Sequence, residues 1–280
     1  MGTLNKKIGF IGAGQMGEAI IRGLLKSKLF SPEDIYAMDI LDSRLEYLKE
    51  NFGVTNSSSD KSTGYDYLVD NCDIVILSIK PQVLKEVLGY IQKSRWNGEK
   101  QLVISIVGGM NTSVIEKYLT EVPLVRIIPN TPMLVNAGAA GIAPGKNAEQ
   151  RHTELVIKIF KELGITFLVQ ENLIDSVMAI SGCGPAYIYM LIEAMADGGV
   201  ELGLPRDIAQ TLAAQTALGA AKMVLETHEH PGALKDRVCS PGGSTIAGVR
   251  TLEQGGFRGT VINAVEIGKT SMEKVAKKSE

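Results

Sequence analysis

Three glycines near the start of the chain stand at a spacing that suits a bound phosphate. Gly12, Gly14 and Gly17 match G-x-G-x-x-G within IGFIGAGQMGEAI. The pattern follows the apolar run Ile8–Ile11 and opens a helical segment, Gly17–Leu25, which is the setting in which it signifies a dinucleotide. Gly12 permits a tight turn, Gly14 lets a pyrophosphate approach the backbone, and Gly17 lets the helix lie close on the strand. The pyrophosphate then meets free N–H groups at the positive end of the helix. Asp39 ends the second strand-like run, 39 − 17 = 22 residues beyond the third glycine. That is near the ~20 expected of an acid that accepts ribose hydroxyls. Such an acid repels a 2′-phosphate: two charges about 4 Å apart cost roughly 1–4 kcal/mol between bulk water and a partly screened surface. NADH is therefore expected over NADPH, with Arg44 close enough in sequence to soften the penalty.

A second group of residues suits a small anion. In Ser240–Thr245 (SPGGST), Gly242 and Gly243 expose backbone N–H groups, and a helix is expected to open at Ser244. A carboxylate at a helix N-terminus needs no lysine. The same residues also fit an ordinary glycine turn with a Ser or Thr cap. Metal chemistry has little to work with. The histidines are His152, His228 and His230, the cysteines Cys72, Cys183 and Cys239, and no CxxC pair occurs. No metal site is expected, and the thiols read as buried groups in a reducing compartment.

Two kinds of architecture must position these groups. Residues 1 to about 170 alternate short β-rich runs with helical patterns. The runs are Ile8–Ile11, Ile35–Met38, Ile74–Ile79, Leu102–Val107 and Val125–Ile128, with shorter ones at 141–143 and 166–169. This alternation predicts right-handed crossovers and a mainly parallel sheet. Beyond about Glu171 the strand-like runs stop and Ala-, Leu- and Met-rich helical stretches follow. Helices are expected over 185–202 and 206–225, then from Pro231, Ser244 and Phe257, with a charged tail at 273–280 that frays. The expectation is thus an α/β dinucleotide-binding domain of the Rossmann type over 1–170 and an all-α domain over 171–280. Small residues such as Ala213, Ala217, Gly219 and Ala220 let other helices approach closely.

Several further segments run in order through the chain: SIKP (Ser78–Pro81), SIVGG (Ser105–Gly109), PNTP (Pro129–Pro132), SGCGPAY (Ser181–Tyr187), EAMADGG (Glu193–Gly199), HPGALKD (His230–Asp236) and the SPGGST loop. With the opening glycines this set resembles pyrroline-5-carboxylate reductase from end to end. The resemblance implies reduction of 1-pyrroline-5-carboxylate to L-proline with NADH or NADPH, the last step of proline biosynthesis. It also implies that the helical domain makes an interleaved homodimer, in some members assembled into decamers. It assigns cofactor contacts to the loops Ser78, Ile79, Lys80, Pro81 and Ile106, Val107, Gly108, beside Ile11, Gly12, Gly14, Gln15, Met16 and Gly17. The family commonly carries a small polar residue in place of Asp39 and often Asn in place of Asp60, near the adenosine. The resemblance gives the substrate carboxylate to Ser240, Gly242, Gly243, Ser244 and Thr245. Thr245 is the hydroxyl near the substrate nitrogen, an orienting group that relays a proton, and Glu171 lies near the bound product. Glu193 is a second carboxylate able to stabilise positive charge on that nitrogen.

Competing functions leave marks of their own. A β-hydroxyacid dehydrogenase needs a helix lysine in G-x-G-x-x-x-K, and counting from Gly182 and Gly184 reaches Ile188, which transfers no proton. A related cyclic imine reductase and a non-catalytic dinucleotide-sensing dimer remain as alternatives. A sensor has no need of the SPGGST loop. The formal net charge of −2, with no basic block, gives no reason to expect nucleic acid. No apolar run approaching the ~18 residues of a membrane span is expected, and the start leaves no room for a signal peptide. The expected location is the cytoplasm.

Overall fold

The computed structural model describes residues 3–56 and 59–279. The chain folds as β1 (Ile8–Ile11), α1 (Gln15–Lys26), β2 (Ile35–Met38), α2 (Asp42–Phe52), β3 (Thr55–Asn56), α3 (Lys61–Asn71), β4 (Ile74–Leu77) and α4 (Pro81–Ile91). There follow β5 (Leu102–Ser105), α5 (Thr112–Glu116), β6 (Leu124–Ile128), β7 (Gly138–Pro144), α6 (Gln150–Phe160), β8 (Gly164–Leu168) and α7 (Ile174–Val177). The remainder is helical: α8 (Gly184–Glu201), α9 (Arg206–Thr227), α10 (Pro231–Arg237), α11 (Ser244–Gln254) and α12 (Phe257–Ser279). Contacts divide it into two compact units, residues 1–182 with 268–280, and Cys183–Ile267. Residues 171–182, beyond the expected division at 170/171, group with the sheet.

In the first unit the strand order is β3-β2-β1-β4-β5-β6-β7-β8. β1, β2, β4, β5 and β6 are buried on both faces and mostly apolar, with Ser105 and Arg126 the buried polar exceptions, as a sheet sandwiched between helices requires. The two-residue period divides each strand between two cores. Ile74 and Ile76 join Phe10, Ile20 and Phe160, while Val75 and Leu77 join Leu84, Leu88 and Val103 on the opposite face. Chain order reverses between β1 and β4, so a crevice opens outside the carboxyl ends of these strands.

The sheet is mainly parallel, as expected, with β7 antiparallel to β6. β4 and β5 stop at Leu77 and Ser105, two residues earlier than the apolar runs suggest. There the chain leaves the ladder: Ser78 N–H donates to Ile11 O at 2.9 Å and Ile106 N–H to Leu77 O at 3.1 Å. The charged tail does not fray within the described residues, because α12 continues to Ser279.

In the second unit α8 and α9 pack through Ala196, Ala209 and Ala213, joined by Ile192 and Val200. Large apolar side chains around them face outward, including Met190, Leu218, Ile262 and Leu202, the last 88% exposed. The expectation about apolar runs is corrected here. Glu171–Glu201 is long and apolar enough to cross a membrane by length and composition. Its reading is equally that of a helix covered by another protein surface. It is interrupted by a π-turn at Met178–Gly182, and its Asp197 pairs with Arg206 at 2.5 Å.

Candidate active site

The crevice at the strand ends is a cleft of about 380 Å³, lined from β1 by Ile11, Gly12 and Gly14 and from β2 by Met38 and Asp39. Ser78, Ile79 and Lys80 line it from beyond β4. Gly12 has φ +90°, and a Cβ there would lie 2.6 Å from the carbonyl oxygen of Ser78. The Ser78 hydroxyl donates to Gly12 O, tying the two loops together. A Cβ on Gly17 would lie 2.9 Å from Gly12 O, whereas one on Gly14 would meet nothing within 4 Å. The first and third glycines thus build the turn, and the second leaves an open cradle at the start of α1. Gln15 is exposed and Met16 half-buried at that start. Bare backbone facing open space at a helix N-terminus fits a pyrophosphate.

Asp39 braces this loop. Its Oδ2 accepts from Ala13 N–H at 2.8 Å and its Oδ1 from Leu41 N–H at 3.1 Å. Each carboxylate oxygen keeps a lone pair for a ribose hydroxyl. Arg44 grips the other side of the same residue, donating to Ala13 O, and its guanidinium also pairs with Glu18. Burial pushes the Glu18 carboxyl up, but Arg44 and Arg22 outweigh it and hold it below the usual carboxylate range. Asp60 caps α3, its Oδ1 accepting from Thr63 N–H at 3.0 Å.

Sequence reasoning did not find the rest of the lining: Ile40, Leu41, Lys61, Tyr65, Val83 and Glu86. Ile40 and Leu41 are large apolar groups left exposed beside Asp39. Lys61 of α3 pairs with Glu86 of α4 at 2.5 Å. Burial first, then the charge of Glu86, pushes the Tyr65 phenol up to about 12, so it stays neutral. An exposed apolar pair directly after an acid that ends a strand is the one sequence signal that points to this lining.

The loop after β5 is tightly held. Val107 is buried, its N–H facing Ser105 Oγ at 3.4 Å, and a Cβ on Gly108 would touch Met178 Cε at 3.3 Å. Glu171 is committed within the first unit, with both oxygens occupied by Thr112, from its N–H at 2.5 Å and its hydroxyl at 2.7 Å. Arg126, 1% exposed, lies 3.6 Å from Glu171 and 3.1 Å from Asp175, and donates to Asn111 at 3.1 Å. This network is a second feature that the sequence does not announce.

In the second unit Ser240–Thr245 leads into α11, whose N-cap is Gly243. Gly242 has φ +70° and open space around it, and Gly243 N–H donates to Ser240 O at 3.0 Å. Ser240, Gly242, Ser244 and Thr245 are exposed. The first-turn N–H groups of α11 have no partner within the helix and point outward from its positive end. Glu193 instead lines a separate groove between α8 and α9 with Asp197 and Arg206. Among the described residues no three His, Cys, Asp or Glu side chains converge as metal ligands. His230 caps α10 and Glu229 pairs with Arg237.

Known proteins carry both halves of this arrangement. Residues 171–274 match the family model described as pyrroline-5-carboxylate reductase dimerisation. Residues 7–109 match the one described as NADP oxidoreductase, coenzyme F420-dependent. A pyrroline-5-carboxylate reductase of Methanosarcina acetivorans is 46% identical over 93% of this chain and 94% of its own length. That of Escherichia coli is 40% identical over 98% and 100%. The solved pyrroline carboxylate reductase of Plasmodium falciparum, with NADP bound, superimposes with a TM-score of 0.86 at 34% identity, covering 98% of this chain and 100% of that one. With these full-length relatives beside the glycine turn and the SPGGST loop, the chain belongs to the pyrroline-5-carboxylate reductase family.

Proposed function

We infer that this protein reduces 1-pyrroline-5-carboxylate to L-proline with NAD(P)H, the last step of proline biosynthesis. The observation that carries the reading is the Ser240–Thr245 loop. Its outward N–H groups and left-handed Gly242 form a seat for a carboxylate in a chain that also has a dinucleotide cleft. A reduced nicotinamide dinucleotide supplies the hydride when bound. Gly12, Gly14 and Gly17 seat its pyrophosphate, and Asp39 accepts from the adenosine ribose. Ser78–Pro81 and Ile106–Gly108 border the remainder, and Asp60 stands near the adenosine. The N–H groups of Gly242, Ser244 and Thr245 hold the substrate carboxylate, with Gly243, whose N–H is taken by Ser240 O, and Ser240 shaping the loop around it. The Thr245 hydroxyl orients the ring nitrogen and relays a proton to it from water. A substrate that arrives as the protonated imine asks little acidity of that hydroxyl, and alignment supplies much of the rate. Glu171 acts on the product side through the loop that it braces at Thr112.

Asp39 favours NADH over NADPH. By function, 1–170 serves the dinucleotide and 171–280 substrate and dimerisation, although residues 171–182 and 268–280 group with the sheet by contacts. The exposed apolar face of the second unit supports a homodimer, which assembles further into a decamer. The three free thiols suit the cytoplasm. One assay tests the reading: oxidation of NADH and of NADPH with 1-pyrroline-5-carboxylate, its six-membered homologue and an uncarboxylated pyrroline. Turnover of the first substrate, with the higher kcat/KM for NADH, is expected. Dinucleotide binding without turnover of any of the three imines would remove the assignment.

A further inference from the structure

Among the described residues two cations stand near Asp39, Lys61 in the lining of the cleft and Arg44 on the same Ala13 that Asp39 holds, and carboxylates already hold both. Arg44 is bound to Glu18 and to the carbonyl of Ala13, with its guanidinium 5.0 Å from the Tyr47 ring. Opening that arrangement would remove one of the glycine turn's supports. Lys61 is bound to Glu86 at 2.5 Å, and both line the cleft with Asp39. The charges of Glu86 and Asp39 both act on Tyr65, which lies in the same wall. Lys80, the remaining lysine in the lining, stands past the end of β4, two strands and so about 10 Å from the end of β2.

We propose that Glu86 is a determinant of cofactor selectivity, acting by holding Lys61 away from a 2′-phosphate. The proposal rests on the reading of Asp39 as the ribose acceptor. A phosphate can recruit Lys61 only by leaving the Glu86 carboxylate unpaired in the same wall, where it adds a second negative charge to that of Asp39. Replacing Asp39 alone removes one repulsion and leaves Lys61 bound to Glu86. Both partners of the Lys61–Glu86 pair are well exposed, at 43% and 51%, so separating them costs the fold little.

The test is titration of the full-length protein with adenosine 2′,5′-bisphosphate and with adenosine 5′-monophosphate, which needs no turnover. Asp39→Ser is expected to tighten the bisphosphate about tenfold, and adding Glu86→Gln about threefold more, most strongly at low ionic strength. The monophosphate, which loses Asp39 as a ribose acceptor, should weaken with Asp39→Ser and change no further with Glu86→Gln, and the kcat/KM ratio of NADPH to NADH should rise in step with the bisphosphate. Adding Lys61→Met should return the affinity to that of Asp39→Ser. If Glu86→Gln gives no gain over Asp39→Ser, or if the gain survives Lys61→Met, the role of Glu86 is overturned. Unchanged bisphosphate affinity in Asp39→Ser alone would instead overturn the reading of Asp39. Glu86→Gln in the otherwise unaltered chain then still reads the second carboxylate separately.

Discussion

Gly12 and Thr245 occupy opposite ends of the proposed chemistry, and each gives a sharp expectation. Gly12→Ala places a Cβ in a left-handed conformation and 2.6 Å from the Ser78 carbonyl, so the turn must open. Dinucleotide affinity, read by quenching of intrinsic fluorescence, should fall at least about tenfold. Thr245→Ala removes one hydrogen bond to the reacting ring, worth about 1–1.5 kcal/mol, so kcat/KM should drop about tenfold with dinucleotide affinity unchanged. Equal kcat/KM would take Thr245 out of the mechanism. Both positions are legible in the sequence, because glycine spacing and a serine- and threonine-rich helix start are local patterns. Glu171 shows where legibility ends. Its partner Thr112 lies 59 residues away, and only the pairing of β5, β6 and β7 brings them together. Lys61 and Glu86 are separated by a strand for the same reason, so no local period connects them.

The elements themselves were largely readable, since apolar runs of four or five residues bounded by turns mark buried strands. The two-residue β3 is too short to show a period, and the reversal of β7 is set by its pairing with β6 rather than by its own residues. Arg126 on β6 couples the start of α5 to the segment carrying Glu171 and Asp175. Arg126→Met should leave those carboxylates without their cation and cost about 3 kcal/mol, measured by urea unfolding. Glu171→Gln, which can still accept from Thr112, should cost clearly less. At the start of α6, Glu149 N–H donates to His152 Nδ1 at 3.0 Å, a bond that needs the neutral ring. Burial, and then the charge of Arg151, hold His152 below its ordinary value of 6.5. A depressed folded value means that this stability is complete above 6.5 and is lost as pH falls through the folded pKa. The cap is worth about 0.5–2 kcal/mol. His152→Gln keeps an acceptor there, so its melting temperature should fall less between pH 7 and pH 5 than that of the unaltered chain.

Across the whole chain, the two units differ in how much they bury. The sheet unit closes a core on both faces of its central strands, leaving Phe167 and Leu168 of edge strand β8 exposed, whereas the buried apolar residues of the helical unit are Ala196, Ala209 and Ala213. The sequence foretold helices rich in small residues but not which faces they leave uncovered, since that depends on how α8 lies on α9. Light scattering should find a dimer or a larger even-numbered assembly. Replacing Met190 and Leu202 together by charged residues should shift the mass toward monomer and lower the melting temperature. So sparse a core also sets the order of events after synthesis. The central core of the sheet unit forms from contacts within one chain, a step whose rate is indifferent to concentration. The helical unit must wait for an encounter, so regain of activity after dilution from denaturant should become second-order in protein at low concentration. Chains that wait too long expose the same apolar faces to unspecific association.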